Sequence, residues 1–178
     1  MTDWHNIVTE HGPVVWRAVY RLLGDEDLAR DCYQETFLAA MKQAEKGPVK
    51  NWQAMLRTIG TRKAIDALRS RIRARGRTQR GADPEQLAER HPPEQGAPAE
   101  HAELVQAVRE VLAELPHRQA EAFALRHFEH MDNHAIAQRL ETSPPNVNVL
   151  VHRAAAQLQK SLPESVRPHD GLTSGAPR

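Results

Sequence analysis

Apolar positions recur along this chain with the spacing of amphipathic helices, separated by Gly- and Pro-containing breaks. From Trp4 to Leu23 the apolar set is Ile7, Val8, Val14, Val15, Val19, Leu22 and Leu23. Gly12-Pro13 predicts a break there or the first turn of a helix, and Gly24-Asp25 predicts an end. A second helix fits Asp27 to Glu45, with Leu28, Cys32, Thr36 and Ala39 or Ala40 on one stripe. Phe37, Leu38 and Met41 widen that stripe, and Gly47-Pro48 closes the element. A third runs from Trp52 to about Arg75 on Met55, Leu56, Ile59, Ala64, Ile65, Leu68 and Ile72. Between Gly76 and Glu100 lie three glycines and four prolines, which predict a linker with room for one short helix near Glu85 to Glu89.

Four further helices follow. Leu104, Val105, Val108, Val111, Leu112 and Leu115 make one stripe from Glu103 to Leu115. Pro116 opens the next, with Ala120, Phe123, Ala124 and Phe128 inward. Asp132 can cap a short helix bearing Ile136, Ala137 and Leu140. Ser143 can cap a last one with Pro144 at its first position, where the missing N–H costs nothing. Its stripe is Val147, Val151, Ala154, Leu158 and Leu162. The polar stretch from Ser165 to Arg178 predicts a frayed tail. The expected fold class is all-α, two small helical domains joined by a flexible linker.

Composition fits that expectation: 40% of residues are hydrophobic and only 4% aromatic, which suits small bundles of Leu, Ala, Val and Ile. No apolar run approaches the roughly 20 residues of a membrane helix, and the acid-containing start predicts no signal peptide. A lone Cys32 excludes an internal disulfide or a cysteine-rich zinc site, so a cytoplasmic protein is expected. The net charge of +1 hides an asymmetry. Leu56 to Arg80 carries nine Lys or Arg against one acid, and Gly81 to Glu121 carries nine acids against three Arg. The basic stretch suggests a polyanionic partner, although a solvated helix face would look the same.

Two constellations carry candidate chemistry. A helix of about eight residues, a short turn and a longer helix around Thr142 match the helix-turn-helix plan. Its second helix would turn Pro145, Asn146, Asn148, Val149 and His152 toward a major groove. There Asn can bond adenine edges and Val can touch a thymine methyl. Arg153 and Lys160 are placed for phosphates. A plain αα-hairpin is the alternative. On the second helix, Asp31, Gln34 and Glu35 stand at i, i+3, i+4 and form one polar patch. His127, His130 and His134 have metal-like spacing but straddle a predicted break with no completing acid or Cys, and no metal is expected. No Ser-His-Asp set, phosphate loop or acidic pair offers catalysis.

Three blocks resemble the extracytoplasmic-function sigma factors, the smallest members of the sigma-70 family. Leu115-Pro116, Arg118-Gln119, Ile136-Ala137 and His152-Arg153-Ala154 are similar to the family's fourth region. Asp31, Gln34, Glu35 and Phe37 are similar to its second region, and Ala64-Ile65-Asp66 with Leu68-Arg69 to the helix that follows. The blocks stand in family order. Departures are Met55 where the family often has Trp, Arg62 where it often has Asn, and uncharged Asn148 and Leu150 where it often has Lys or Arg.

The resemblance implies a non-enzymatic, cofactor-free initiation factor, monomeric when free and not bound to membranes, whose partners are core RNA polymerase and promoter DNA. An anti-sigma factor is a further partner of such proteins. Residues 1–75 would be region 2, 76–102 a linker, 103–163 region 4 and 164–178 a tail. Asp31, Gln34 and Glu35 would grip the polymerase. Thr61, Arg62, Arg69, Arg71 and Arg73 would attract the −10 element, with a captured base near the loop from Glu45 to Asn51 and Trp52 more a core residue than a base stack. Pro145, Asn146, Asn148, Val149, His152 and Arg153 would read the −35 element. Two rival readings remain open on the residues: a regulator that binds duplex operators alone, and a helical interaction protein that reads no promoter.

Overall fold

The computed structural model describes residues 2–78 and 99–162, which fold into seven α-helices with no strand among them. In chain order these are α1 (Trp4–Leu23), α2 (Glu26–Ala44), α3 (Trp52–Thr78), α4 (Ala99–Glu114), α5 (His117–His127), α6 (Asn133–Arg139) and α7 (Pro144–Ser161). The short helix expected near Glu85 to Glu89 and the tail from Ser165 lie outside the described residues.

Short polar side chains start the helices by accepting otherwise orphaned backbone N–H groups. Asp3 accepts from Asn6, Asp25 from Leu28, Asn51 from Ala54, Asp132 from Ala135 and Ser143 from Asn146. Gly24 ends α1 at φ +61°, a left-handed turn that only glycine adopts without strain, and its N–H donates to the Tyr20 carbonyl.

The break expected at Gly12-Pro13 does not occur; α1 runs through Pro13 without interruption. Ile7 on one side and Val15, Ala18, Val19, Leu22 and Leu23 on the other all reach the core, so burial on both flanks outweighs one lost backbone bond. Gly12 lies beneath the Tyr33 hydroxyl, where a Cβ would come within 2.6 Å. Gly60 makes a second close approach, a Cβ there falling 3.3 Å from Val19 and 3.5 Å from Thr36.

Helix α3 is the hub: α1, α2, α4 and α5 all pack on it. Met55, Leu56, Ala64, Ile65 and Leu68 of α3 share a single apolar cluster with Val19, Leu22 and Leu23 of α1. The same cluster takes in Val111, Leu112, Leu115 and Phe123 from beyond the expected linker. Trp52 packs edge-on against Trp4 at 5.2 Å, a core contact. A smaller second cluster of Ala122, Leu125, Met131, Ile136, Ala137, Leu140 and Val147 holds α5, α6 and α7 together. The expected widening of the α2 stripe fails at two positions, since Leu38 and Met41 face solvent at 58% and 40% exposure. α2 rests on α1 and α3 through Ala29, Cys32, Thr36, Phe37 and Ala40, and Asp31, Gln34, Glu35, Leu38 and Met41 on its other side are exposed.

Cys32 is buried on that contact, and its thiol pKa is pushed up to about 11, first by desolvation and then by Glu35 and Asp31. The folded state therefore favours the thiol, and its stability falls as pH rises from 9.0 toward about 11. In native chain at pH 8, Cys32 is expected to resist a maleimide for hours and to react within minutes in denaturant. Rapid labelling of folded chain would contradict the burial.

Candidate nucleic-acid interface

The C-terminal pair of helices is built for a close crossing. Ala137 of α6 is buried at 3% exposure, and Val147 of α7 lies wholly in the same cluster. The turn between them passes through Glu141 at φ +49°, and the Thr142 N–H donates to the Ala137 carbonyl at 2.9 Å. Ser143 and Pro144 then start α7. This is a helix-turn-helix, and α7 is its longer second helix.

With Val147, Ala154, Ala155 and Leu158 inward, the N-terminal half of α7 presents its other side to solvent. Pro145, Asn146, Asn148, Val149, His152 and Arg153 are all exposed there, Val149 at 43%. Two of the amides are held from within: Asn146 donates to the Thr142 hydroxyl at 2.8 Å, and the Asn148 side-chain oxygen accepts from Asn133 of α6. Those bonds fix the rotamers and leave each amide further donor or acceptor capacity for a base edge. Beside this element His127 packs on Phe123 at 4.5 Å, and burial, with Arg126 and His130 nearby, lowers its pKa. His130 and His134 are exposed, so the histidine trio is not drawn inward as a set.

On α2, Asp31, Gln34 and Glu35 form one exposed patch. Lys63 of α3 donates to Glu35 at 2.8 Å, which holds the lysine above its ordinary range. Leu38 and Met41 continue the same exposed stripe at i+3 to i+7 from Gln34 and Glu35. Sequence reasoning placed them in the core. The spacing from Gln34 was the signal that they belong with the polar patch instead.

The basic residues of α3 have a different setting. Thr61 is wholly buried, and its hydroxyl finds no hydrogen-bond partner, so it is absent from the surface expected to meet DNA. The Arg62 guanidinium bonds the Glu121 carboxylate, and Arg69 donates to the Leu115 carbonyl. Arg71 reaches the α1–α2 junction, 3.6 Å from the Asp25 carboxylate and 3.3 Å from the Leu23 carbonyl. Burial, with Arg75 nearby, lowers the Arg71 pKa. Arg73 is exposed, with its Nε donating to the Arg69 carbonyl. A cleft of about 510 Å³ lies alongside, lined by Thr58, Arg62 and His117, with Arg118, Glu121 and Arg139.

Comparison with known proteins bears on both halves. Residues 7–74 match the family model described as Sigma-70 region 2, and residues 105–158 match Sigma-70, region 4. The chain is 28% identical over 165 residues to the ECF RNA polymerase sigma factor SigE of Mycolicibacterium smegmatis. That alignment covers 91% of this chain and 62% of that protein, so the chain spans about three fifths of the relative's length. The fold is similar to that of the sigma factor RpoE of Bartonella quintana, solved in complex with the anti-sigma factor NepR. The TM-score is 0.54 at 22% identity, over 90% of this chain and 96% of that one.

Thr61 offers a direct check. An unpaired buried hydroxyl costs about 1–3 kcal/mol, and valine has nearly the same shape. Thr61→Val should raise unfolding stability in urea by about 1 kcal/mol and leave DNA affinity unchanged. A variant with lower DNA affinity and unaltered stability would place Thr61 back at a DNA surface.

Proposed function

The chain belongs to the sigma-70 family, in its extracytoplasmic-function group, and from that premise we propose that it directs core RNA polymerase to specific promoters. The observation that carries the reading is the solvent-facing side of α7, where Pro145, Asn146, Asn148, Val149, His152 and Arg153 stand together at the head of a helix-turn-helix. In this reading α7 enters the major groove of the −35 element. Asn146 and Asn148 meet base edges, Val149 meets a methyl group, and Arg153 meets a phosphate.

Residues 1–75 act as region 2, 76–102 as the connection, 103–163 as region 4 and 164–178 as a tail. Asp31, Gln34 and Glu35 dock on core polymerase, with Leu38 and Met41 supplying the apolar part of the contact. A polar patch beside exposed apolar side chains suits such a surface, the charges setting orientation and the apolar area adding affinity. In this reading Arg62, Arg69 and Arg73 of α3 face the −10 element, and Arg71 is turned instead to the α1–α2 junction. Thr61 is left out of that set because it is buried. The chain supplies no catalytic chemistry of its own; nucleotide addition belongs to the polymerase. It works in the cytoplasm, where its partners are. No helix among the described residues is long and apolar enough to cross a membrane. An anti-sigma factor is a further proposed partner, in line with the complex of RpoE with NepR.

Transcription in vitro with core polymerase and genomic DNA tests the reading. Added chain should produce discrete starts at a shared sequence element, and random or no starts would defeat it. Gln34→Ala with Glu35→Ala should weaken core binding at least tenfold, roughly 1.4 kcal/mol, without changing DNA binding by the free chain. Asn146→Ala should cost about 1–3 kcal/mol at one base position of the −35 element only; an equal loss across all sequences would mean that α7 does not read bases.

A further inference from the structure

An amide side chain offers donors at one end and an acceptor at the other, so the end it presents decides which base it can bond. For Asn148 that end is settled by a chain of three side chains. Arg126 of α5 is half-buried, and its guanidinium has donors only, so it faces the Asn133 side-chain oxygen, at 3.2 Å. That orientation turns the Asn133 Nδ2 toward α7, where it donates to the Asn148 Oδ1. The Asn148 oxygen is thus held toward α6, and its Nδ2 is the end left for an outside partner. Asn133 is fixed in place as the first residue of α6. Asp132 before it caps that helix by accepting from Ala135, and Ile136 and Ala137 after it share a buried cluster with Val147 of α7. Asn146 is held differently. Its amide donates to the Thr142 hydroxyl at 2.8 Å, but a hydroxyl can accept or donate, so that amide is free to turn over.

We infer that Asn133 is a positioning residue that makes Asn148 a fixed hydrogen-bond donor, so that the base Asn148 faces is a keto base, guanine or thymine. This rests on the reading of α7 as the helix in the major groove. There guanine shows O6 and N7 and thymine shows O4, all acceptors, whereas cytosine shows the N4 amino group. The Asn148 Nδ2 set against that amino group brings two donors face to face and leaves both without a bond. The two-bond contact with adenine needs the amide oxygen on N6 as well as the nitrogen on N7. With the oxygen turned to Asn133, adenine keeps only the second of these. Selection at this base is therefore against cytosine first and adenine second, and Asn133 sets it through Asn148.

The test is selection from a duplex library randomised over the −35 element, using full-length chain with core polymerase and sequencing the bound fraction. Asn148→Ala identifies the base that Asn148 faces, as the one position whose preference disappears. Wild-type chain should favour guanine or thymine over cytosine there by about tenfold. Asn133→Asp is the decisive variant. Its carboxylate has acceptors only, so it keeps Arg126 with one oxygen and accepts from the Asn148 Nδ2 with the other, which turns the amide over. Preference at that position should pass to cytosine or adenine, with the other positions unchanged. An acid in the first turn of a helix is favourable, so this variant should fold. Arg126→Gln, whose amide can accept or donate, should flatten the preference instead, and it serves if Asn133→Asp does not fold. A wild-type preference for cytosine or adenine at that position overturns the inference, and so does Asn133→Asp with the wild-type preference intact. An equal loss at every position in folded Asn133→Asp also overturns it, because a merely structural residue would do that. So does Asn148→Ala that alters no position. Absence of promoter-specific transcription would count against the sigma reading instead, because the selection needs no start site.

Discussion

Helix α3 has to bury an apolar stripe and carry a row of arginines on the same 27 residues, and the rest of the structure depends on how that conflict is met. Its stripe is covered by α1, α2, α4 and α5 together. Arginines on the flanks of such a helix cannot all reach water. Their stems lie along apolar surface, and their heads must find acceptors at the rim of each contact. They find helix-terminal carbonyls at Leu23 and Leu115, and carboxylates at Asp25, Glu121 and Glu129. Helix ends offer such acceptors because their last carbonyls have no partner within the helix.

This distribution changes what the basic stretch means. Read by charge alone, Leu56 to Arg80 is a strong polyanion site, and Gly81 to Glu121 looks like a separate acidic region. The structure brings the end of the second onto the first at Glu121 and Arg62. Opposite charge in adjacent stretches is therefore partly a folding instruction within the chain. The two ion pairs themselves are weak evidence for stability, because desolvating them offsets much of their attraction. Their worth lies in specificity: a shifted register would leave Glu121 or Glu129 buried without a cation, at a cost of about 3–5 kcal/mol.

Much of the fold was legible because periodicity and capping agree. Asp132, Ser143 and Pro144 announce α6 and α7 by local chemistry, and the structure uses each of them where a cap is needed. Misreadings arose where tertiary contact decides. Pro13 reads as a break, but the burial of Ile7 and Val15 on its two sides carries α1 through it. Leu38 and Met41 read as core because apolar residues usually are, yet they face away from α1 and α3. Thr61 reads as a surface hydroxyl on a basic helix, but Gly60 beside it marks a face pressed against α1 and α2. Glu121 and Glu129 gave no sign of burial, since their partners stand 59 and 72 residues away.

Helices α3 and α7 thus differ from what charge alone suggests. α7 has few cations but an open, ordered face whose amides are aimed by Thr142 and Asn133. Such a face suits contact at short range and supplies little long-range attraction. α3 has the cations, and Arg57, Arg62 and Arg69 are engaged with the C-terminal half. Glu121, Glu129 and the Leu115 carbonyl draw those guanidiniums into contacts within the chain, so the formal charge of α3 overstates the positive field it offers to solvent.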